Sequence, residues 1–268
     1  MRSRTRTFQT AAKVLAAKGG SAAFFYFTQG GIILKFKDKT ALLVAFLTIL
    51  ICAVMALLDI TFTVILPGSV IPFPYLWRSV IKAALFLGCP LIWAAATKDR
   101  RVKSFLVPSA RGLLFALGTG VVVFAVILGG YFLLGGLFDL SGITASLSRT
   151  AGVDKDNFIF VALYISFVNS FLEEFFFRGF AFYTLRELSA RRPAYIFSAL
   201  VFSLYHVSIM IGWFDLPLYL LILVALFFGG LIFNYFTERA GNIYFSWMIH
   251  MFSNFAINCI GFILLATV

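Results

Sequence analysis

The sequence predicts an all-α fold, a polytopic bundle of about seven transmembrane helices with an N-terminal interfacial helix. Three observations carry this prediction: the composition, a series of long apolar stretches, and the distribution of basic residues between them. Of the 268 residues, 62% are hydrophobic and only 12% are charged. Soluble domains are about 45–50% apolar, so this composition indicates a protein whose solvent is lipid.

Several apolar stretches are long enough to cross a bilayer, since a transmembrane helix needs about 20 apolar residues. The seven that we identify cover residues 41–66, 74–97, 112–138, 157–183, 194–212, 218–236 and 243–266. The first stretch carries Asp59, and the second carries Arg78 and Lys82 near its start. Residues 21–34 are also apolar, but they are too short for a span and predict an interfacial helix or a re-entrant segment.

The basic residues predict the orientation of the chain and its partners. The net charge of +11 comes mainly from residues 1–40 and from alternate loops between the apolar stretches. This is the pattern of cytoplasmic loops that contact acidic lipid, and it is not typical of a nucleic-acid-binding face. We therefore expect lipid contact, no nucleic-acid partner and a cytoplasmic N-terminus, in a prokaryotic plasma membrane.

The fourth stretch contains charges where a bilayer disfavours them. A charge at the bilayer centre costs about 2.5–3.5 kcal/mol on insertion scales, so such residues persist where they pair or do chemistry. Glu174 and Arg178 are four residues apart and can pair on one helix face. Glu173 points about 100° away and has no partner on its own helix, which would make it a strong base. We predict that Glu173 reacts, and that Glu174 and Arg178 hold it in place.

The two histidines of the chain also fall in predicted spans. His206 follows Phe202 by four residues, and His250 precedes Asn254 by four, so each pair shares a helix face. A lone buried histidine is more often a hydrogen-bonded core residue, but these residues and the charges of the fourth stretch all lie in one half of the chain. At 1.5 Å per residue, Glu173 and the two histidines have similar depths in the membrane and can meet in one layer.

A carboxylate, two imidazoles and an amide are suited to hydrolysis by an activated water molecule. Glu173 would take a proton from the water and later deliver it to the leaving amine, while His206 orients the water. His250 and Asn254 would donate hydrogen bonds to the developing oxyanion. No serine or cysteine stands in a motif typical of a nucleophile, and the three cysteines lie in apolar runs.

A zinc ion is an alternative activator of the water, because carboxylate and imidazole groups are zinc ligands. The candidate ligands are Glu173, His206 and His250. The HExxH spacing of common zinc proteases is absent from the sequence, so a zinc site would have to be assembled across helices. A mechanism without metal, based on the glutamate, is equally open.

Three segments resemble the signature motifs EExxxR, FxxxH and HxxxN of the CPBP intramembrane proteases: EEFFFR at 173–178, FSLYH at 202–206 and HMFSN at 250–254. That family includes CAAX prenyl endopeptidases of the Rce1 type and bacterial relatives linked to bacteriocin immunity. The resemblance covers about residues 157–266. It implies an intramembrane endopeptidase that cuts a membrane-associated protein or peptide, prenylated or hydrophobic.

The resemblance also implies residue roles and a division of the chain. Glu173 and His206 would activate the water, and His250 and Asn254 would form the oxyanion site. Glu174, Arg178 and Phe202 complete the motifs. The family has been described both as metalloproteases and as metal-free, so zinc stays open. Three regions follow, a basic cytoplasmic or interfacial segment, N-terminal transmembrane helices and a catalytic core, at residues 1–40, 41–156 and 157–268.

Two other functions are compatible with the same residues. Ionisable side chains within the membrane also mark proton-coupled transporters, although the sequence has no inverted repeat of the kind that many transporters contain. A family member can also act without proteolysis, as a membrane binding or immunity factor.

Overall fold

The structure, a computed structural model, describes residues 39–62, 74–108, 110–147, 153 and 155–266. Among these residues, all regular secondary structure is helical. The predicted all-α fold class is therefore confirmed. The interfacial helix predicted at residues 21–34 lies outside the described residues.

The helices of the described part of the chain are α1 (Lys39–Ile60), α2 (Tyr75–Thr97), α3 (Arg101–Phe105), α4 (Ala110–Leu134), α5 (Ser141–Ser146), α6 (Phe158–Leu188), α7 (Arg191–Ile209), α8 (Leu216–Ala240) and α9 (Tyr244–Ala266). Six of them, α1, α2, α4, α6, α8 and α9, are long and apolar enough to cross a membrane. Large apolar side chains such as Ile92, Leu114 and Leu133 cover their outer surfaces. Water disfavours so much exposed apolar surface, and the chain is an integral membrane protein.

The seventh predicted span, residues 194–212, forms a helix but does not join these six. It corresponds to α7, which begins with two arginines and a proline and carries His206 and three serines. The serine hydroxyls are satisfied within the protein: Ser198 donates to the Phe177 carbonyl, Ser203 to the Leu223 carbonyl and Ser208 to Asp59. By length and composition the described residues thus give six spans instead of seven. The cytoplasmic N-terminus was predicted from seven alternating spans and stays a prediction.

Helix α6 lies at the centre of the bundle and packs against α1, α2, α7, α8 and α9. Its buried aromatic side chains fill the core: Phe175, Phe176, Phe177, Phe180 and Phe182. Phe176 stacks on Phe86 of α2 with ring centroids 4.3 Å apart, and Phe177 meets Phe202 of α7 edge-on at 5.3 Å. These ring contacts position α6 relative to α2 and α7.

Helix α6 departs from α-helical geometry on both sides of its acidic pair. Residues Tyr164–Asn169 and Glu174–Tyr183 are π-helical, and one α-helical turn, Ser170–Glu173, separates them. A π-helix closes its hydrogen bonds over five residues, so adjacent side chains diverge by less than the 100° of an α-helix. The side chains of Glu173 and Glu174 both point into the protein, where these residues are 2% and 0% exposed. Such π segments are rare and occur frequently at functional sites.

Two asparagines of α9 bind the backbone of α6 near its first π segment. Asn254 Nδ2 donates to the Ile165 carbonyl at 3.1 Å, and Asn258 Nδ2 donates to the Ala162 carbonyl at 3.1 Å. A backbone carbonyl without a partner is costly in a low-dielectric interior, so these side-chain amides stabilise the irregular stretch. They also hold His250, which lies one turn before Asn254, against α6.

The contact between α7 and α8 generates a test of the packing. A Cβ atom at Gly230 would lie 3.0 Å from the Cα of Ala199, whereas one at Gly229 would meet no described atom within 4 Å. We expect Gly230→Val to lower the Tm of the detergent-solubilised protein by several degrees, because overpacking costs about 1–3 kcal/mol. Gly229→Val makes the same change in helix propensity at an open position and is the control. Equal shifts in Tm for the two variants would contradict this close approach.

Candidate active site

The carboxylate of Glu173 is buried in the bundle, and its two oxygens have different surroundings. Oε1 accepts hydrogen bonds from Lys82 Nζ at 2.5 Å and from Asn169 Nδ2 at 3.0 Å. Lys82 belongs to α2, while Asn169 lies four residues before Glu173 on the same face of α6. Two donors therefore hold Oε1, and Oε2 is left to face the rest of the site.

Two imidazoles face Oε2 of Glu173. The Nε2 atom of His206 lies 3.9 Å from this oxygen, and the Nε2 atom of His250 lies 3.7 Å from it. The structure thus brings together Glu173 of α6, His206 of α7 and His250 of α9, which the sequence placed in one layer. The separations are too long for direct hydrogen bonds, and polar groups at such distances are often bridged by water.

The second nitrogen of each imidazole determines which tautomer faces Glu173. His206 Nδ1 lies 2.8 Å from the carbonyl oxygen of Phe202, and His250 Nδ1 lies 2.9 Å from Oε1 of Glu174. A carbonyl and a carboxylate only accept hydrogen bonds, so both Nδ1 atoms carry a proton. In a neutral ring, Nε2 is then an acceptor. Three acceptors converge in the site, and a molecule with O–H donors complements them.

Glu174 and Arg178 form the ion pair that their spacing predicted, but they support a different residue. Arg178 Nη1 lies 3.4 Å from Oε1 of Glu174, and both side chains are fully buried. Since Glu174 binds His250 Nδ1, the pair positions His250 and does not contact Glu173. The hypothesis that it holds Glu173 is corrected, because near the π-helical junction Glu174 points to α9.

Aromatic rings enclose the buried guanidinium of Arg178. Its Cζ atom lies 4.0 Å from the ring centroid of Phe202 and 4.9 Å from that of Phe233. Phe233 in turn stacks on the ring of His250, with centroids 5.1 Å apart. The guanidinium forms no hydrogen bond with the described residues, so cation–π contacts and the ion pair hold it. This arrangement gives Phe202 of the second motif a role in the site through its ring as well as its carbonyl.

Asn254 lies one helical turn after His250 on α9, and part of its amide group is already engaged. One N–H of its Nδ2 donates to the Ile165 carbonyl, as described above. A carboxamide has two N–H donors, so one donor remains for an oxyanion. Asn254 therefore stabilises α6 through one N–H and can donate the other to an oxyanion, as the motif predicts.

The partners of Glu173 were not predicted from the sequence. Lys82 stands in the second apolar stretch, 91 positions from Glu173, so no local spacing in the sequence indicates that the two residues pair. The contact with Asn169 could have been predicted, since Asn169 precedes Glu173 by four residues on the same helix. One turn before Lys82, Arg78 forms an ion pair with Asp59 of α1. The charges noted in the first two stretches therefore pair within the protein.

The side-chain atoms predicted to bind zinc lie slightly farther apart in this structure than ligands around a bound zinc ion. Zinc bonds of about 2.0–2.1 Å place tetrahedral ligands about 3.4 Å from one another, whereas Glu173 Oε2 lies 3.7 and 3.9 Å from the two Nε2 atoms. Among the described residues, no group of three or more His, Cys, Asp or Glu side chains could hold a metal ion. In this geometry the side chains themselves can bind and activate water.

Comparison with known proteins bears on the region that contains these residues. Residues 155–256 match the family model described as type II CAAX prenyl endopeptidase Rce1-like. No protein of described function and no solved structure matches the chain. The matched region includes all three motifs and leaves out α1 to α5, and therefore Lys82. Residues 155–256 are thus similar to the Rce1-like family, the group of proteases that the three motifs also resemble.

Proposed function

We propose that the protein is an intramembrane endopeptidase that hydrolyses a peptide bond of a membrane-associated protein or peptide. One observation carries the proposal: Oε2 of Glu173 faces the Nε2 atoms of His206 and His250 inside a region that matches a family of endopeptidases. Such a group of acceptors suits the binding and deprotonation of water. The substrate class, a prenylated or hydrophobic chain, follows from the family resemblance.

In the proposed mechanism, water binds beside Oε2 of Glu173. A water molecule that makes hydrogen bonds of about 2.8 Å to Oε2 and to one Nε2 is compatible with the separations of 3.7 and 3.9 Å. His206 Nε2 accepts one proton of the water in a hydrogen bond and orients it. Glu173 Oε2 accepts the other and acts as the general base.

The reaction then proceeds through a tetrahedral intermediate. As Oε2 takes the proton, the water oxygen bonds to the peptide carbonyl carbon, and the carbonyl oxygen becomes an oxyanion. Asn254 donates its second N–H to this oxygen, while Glu174 holds the ring of His250 with its Nε2 atom facing the site. Glu173 returns its proton to the amide nitrogen as the carbon–nitrogen bond breaks. The products are a new carboxyl terminus and a new amino terminus.

The most direct test of the base is the Glu173→Gln variant. Glutamine keeps the size of the side chain but cannot accept the proton, so we expect cleavage of a membrane-delivered substrate to fall below detection at unchanged abundance. Glu187→Gln, at an exposed position near the end of α6, is the matched control and should retain activity. Proteolysis by the Glu173→Gln protein would refute the proposed base. A cellular phenotype that survives this substitution would favour a non-proteolytic binding factor, and loss of proton-coupled flux without any cleavage would favour a transporter.

A second prediction concerns the contact between Glu174 and His250. If Glu174 acts by positioning His250, Glu174→Gln and His250→Ala should each lower kcat about 100-fold. The double variant should then be little worse than either single one, because both remove the same function. The measurement is kcat for the three variants at equal amounts of folded protein. Losses that multiply would show that the two residues act independently.

Chelation separates the mechanism proposed here from the zinc hypothesis. We expect the purified protein to cleave its substrate at an unchanged rate after dialysis against a strong chelator, with elemental analysis showing less than one zinc per chain. Loss of activity that is restored by zinc would instead make the metal an essential cofactor. Glu173, His206 and His250 would then have to move closer together to bind it.

A further inference from the structure

Lys82 reaches the site from a part of the chain outside the region that matches the family. It lies on α2, and its side chain is 7% exposed. Its Nζ atom donates to Glu173 Oε1 at 2.5 Å and to Asn169 Oδ1 at 2.5 Å. The rings of Phe86 and Tyr205 lie 5.1 and 5.0 Å from the same atom. The ammonium group is thus held on several sides and aimed at one oxygen of the carboxylate.

We propose that Lys82 is a positioning residue that fixes the orientation of the Glu173 carboxylate, so that one oxygen is held and the other is presented to water. This inference rests on the proposed function, in which Glu173 is the general base. Lys82 and Asn169 together engage Oε1, and the free oxygen, Oε2, is the one that faces the imidazoles of His206 and His250.

The geometry of a glutamate side chain makes such positioning necessary. Its terminal torsion is broad, so the plane of the carboxylate turns easily unless one oxygen is held. Turning the Glu173 carboxylate out of its present plane would weaken the bonds from both Lys82 and Asn169. Without Lys82, Asn169 alone would hold the group, and a carboxylate oxygen would face the imidazoles for a smaller fraction of the time.

The surroundings of Lys82 also suit the changes of charge during the reaction. When Oε2 takes a proton from water, the Glu173 carboxyl becomes neutral and Lys82 loses its counter-charge. Asn169 Oδ1 still accepts a hydrogen bond from Nζ, and the rings of Phe86 and Tyr205 still provide cation–π contacts. The ammonium therefore stays in place until the proton passes to the leaving amine and the ion pair forms again.

Kinetics of Lys82 variants test the proposal. Lys82→Met should lower kcat about 10–100-fold, with KM changed less than about threefold, because positioning acts on the chemical step and not on substrate binding. Lys82→Arg should recover much of the loss, since a guanidinium can also donate to Oε1. The control is Arg78→Met, which breaks the ion pair with Asp59 one turn away. It should keep kcat even if the protein becomes less stable.

The same series should include wild type and Glu173→Gln, so that failure of the positioning role can be distinguished from failure of the proposed function. If wild type cleaves, Glu173→Gln is inactive and Lys82→Met retains the wild-type kcat, the positioning role is wrong and the proposed function stands. If Lys82→Arg is as impaired as Lys82→Met and Arg78→Met loses as much kcat as both, Lys82 acts only through stability. An inactive wild type would instead overturn the proposed function.

A thermal measurement tests the contact independently of proteolysis. Lys82→Met leaves a buried carboxylate without its partner, so it should lower Tm, and addition of Glu173→Gln should restore part of the loss. Additive shifts in Tm for the two substitutions would show that Lys82 and Glu173 do not interact, and would overturn the inference even if no substrate were at hand.

Discussion

The structure depends on the requirement that a charge buried away from water must have a partner. Loss of one partner of a buried ion pair costs about 3–5 kcal/mol, a large part of the stability of a typical domain. Here Glu173 pairs with Lys82, Glu174 with Arg178, and Asp59 with Arg78. Each pair except that of Glu174 joins two helices. The charges that would otherwise oppose insertion therefore fix how α1, α2 and α6 fit together.

The adjacent carboxylates divide the work of the site because their environments differ. One oxygen of Glu173 accepts a hydrogen bond from Lys82, and the other oxygen faces two imidazoles. Glu174 instead accepts a hydrogen bond from His250 Nδ1 and forms an ion pair with Arg178. An ideal α-helix would send neighbouring side chains about 100° apart. The π-helical stretch that begins at Glu174 reduces this divergence, so one helix supplies both a candidate base and the group that orients a histidine.

Local spacing in the sequence predicted most of the site, and contacts between distant helices supplied the rest. The convergence of Glu173, His206 and His250 was predictable, because each motif lies in its own helix at a similar depth. The bonds from Lys82 to Glu173 and from Glu174 to His250 were not, since they join residues 91 and 76 positions apart. By length and composition the described residues give six spans instead of about seven, because arginines, serines and a histidine interrupt the apolar residues of α7. The π-helical stretches of α6 could not be predicted, because no periodic pattern in the sequence distinguishes them from an α-helix.

A crystal structure of the wild-type protein, at a resolution that shows ordered water, measures the central arrangement most directly. We expect Lys82 Nζ to be bonded to one oxygen of Glu173, and a water molecule to lie within hydrogen-bonding distance of the other oxygen and of at least one histidine Nε2. Side chains of Glu173, His206 and His250 that faced separate lipid-exposed surfaces, with no shared water, would contradict it.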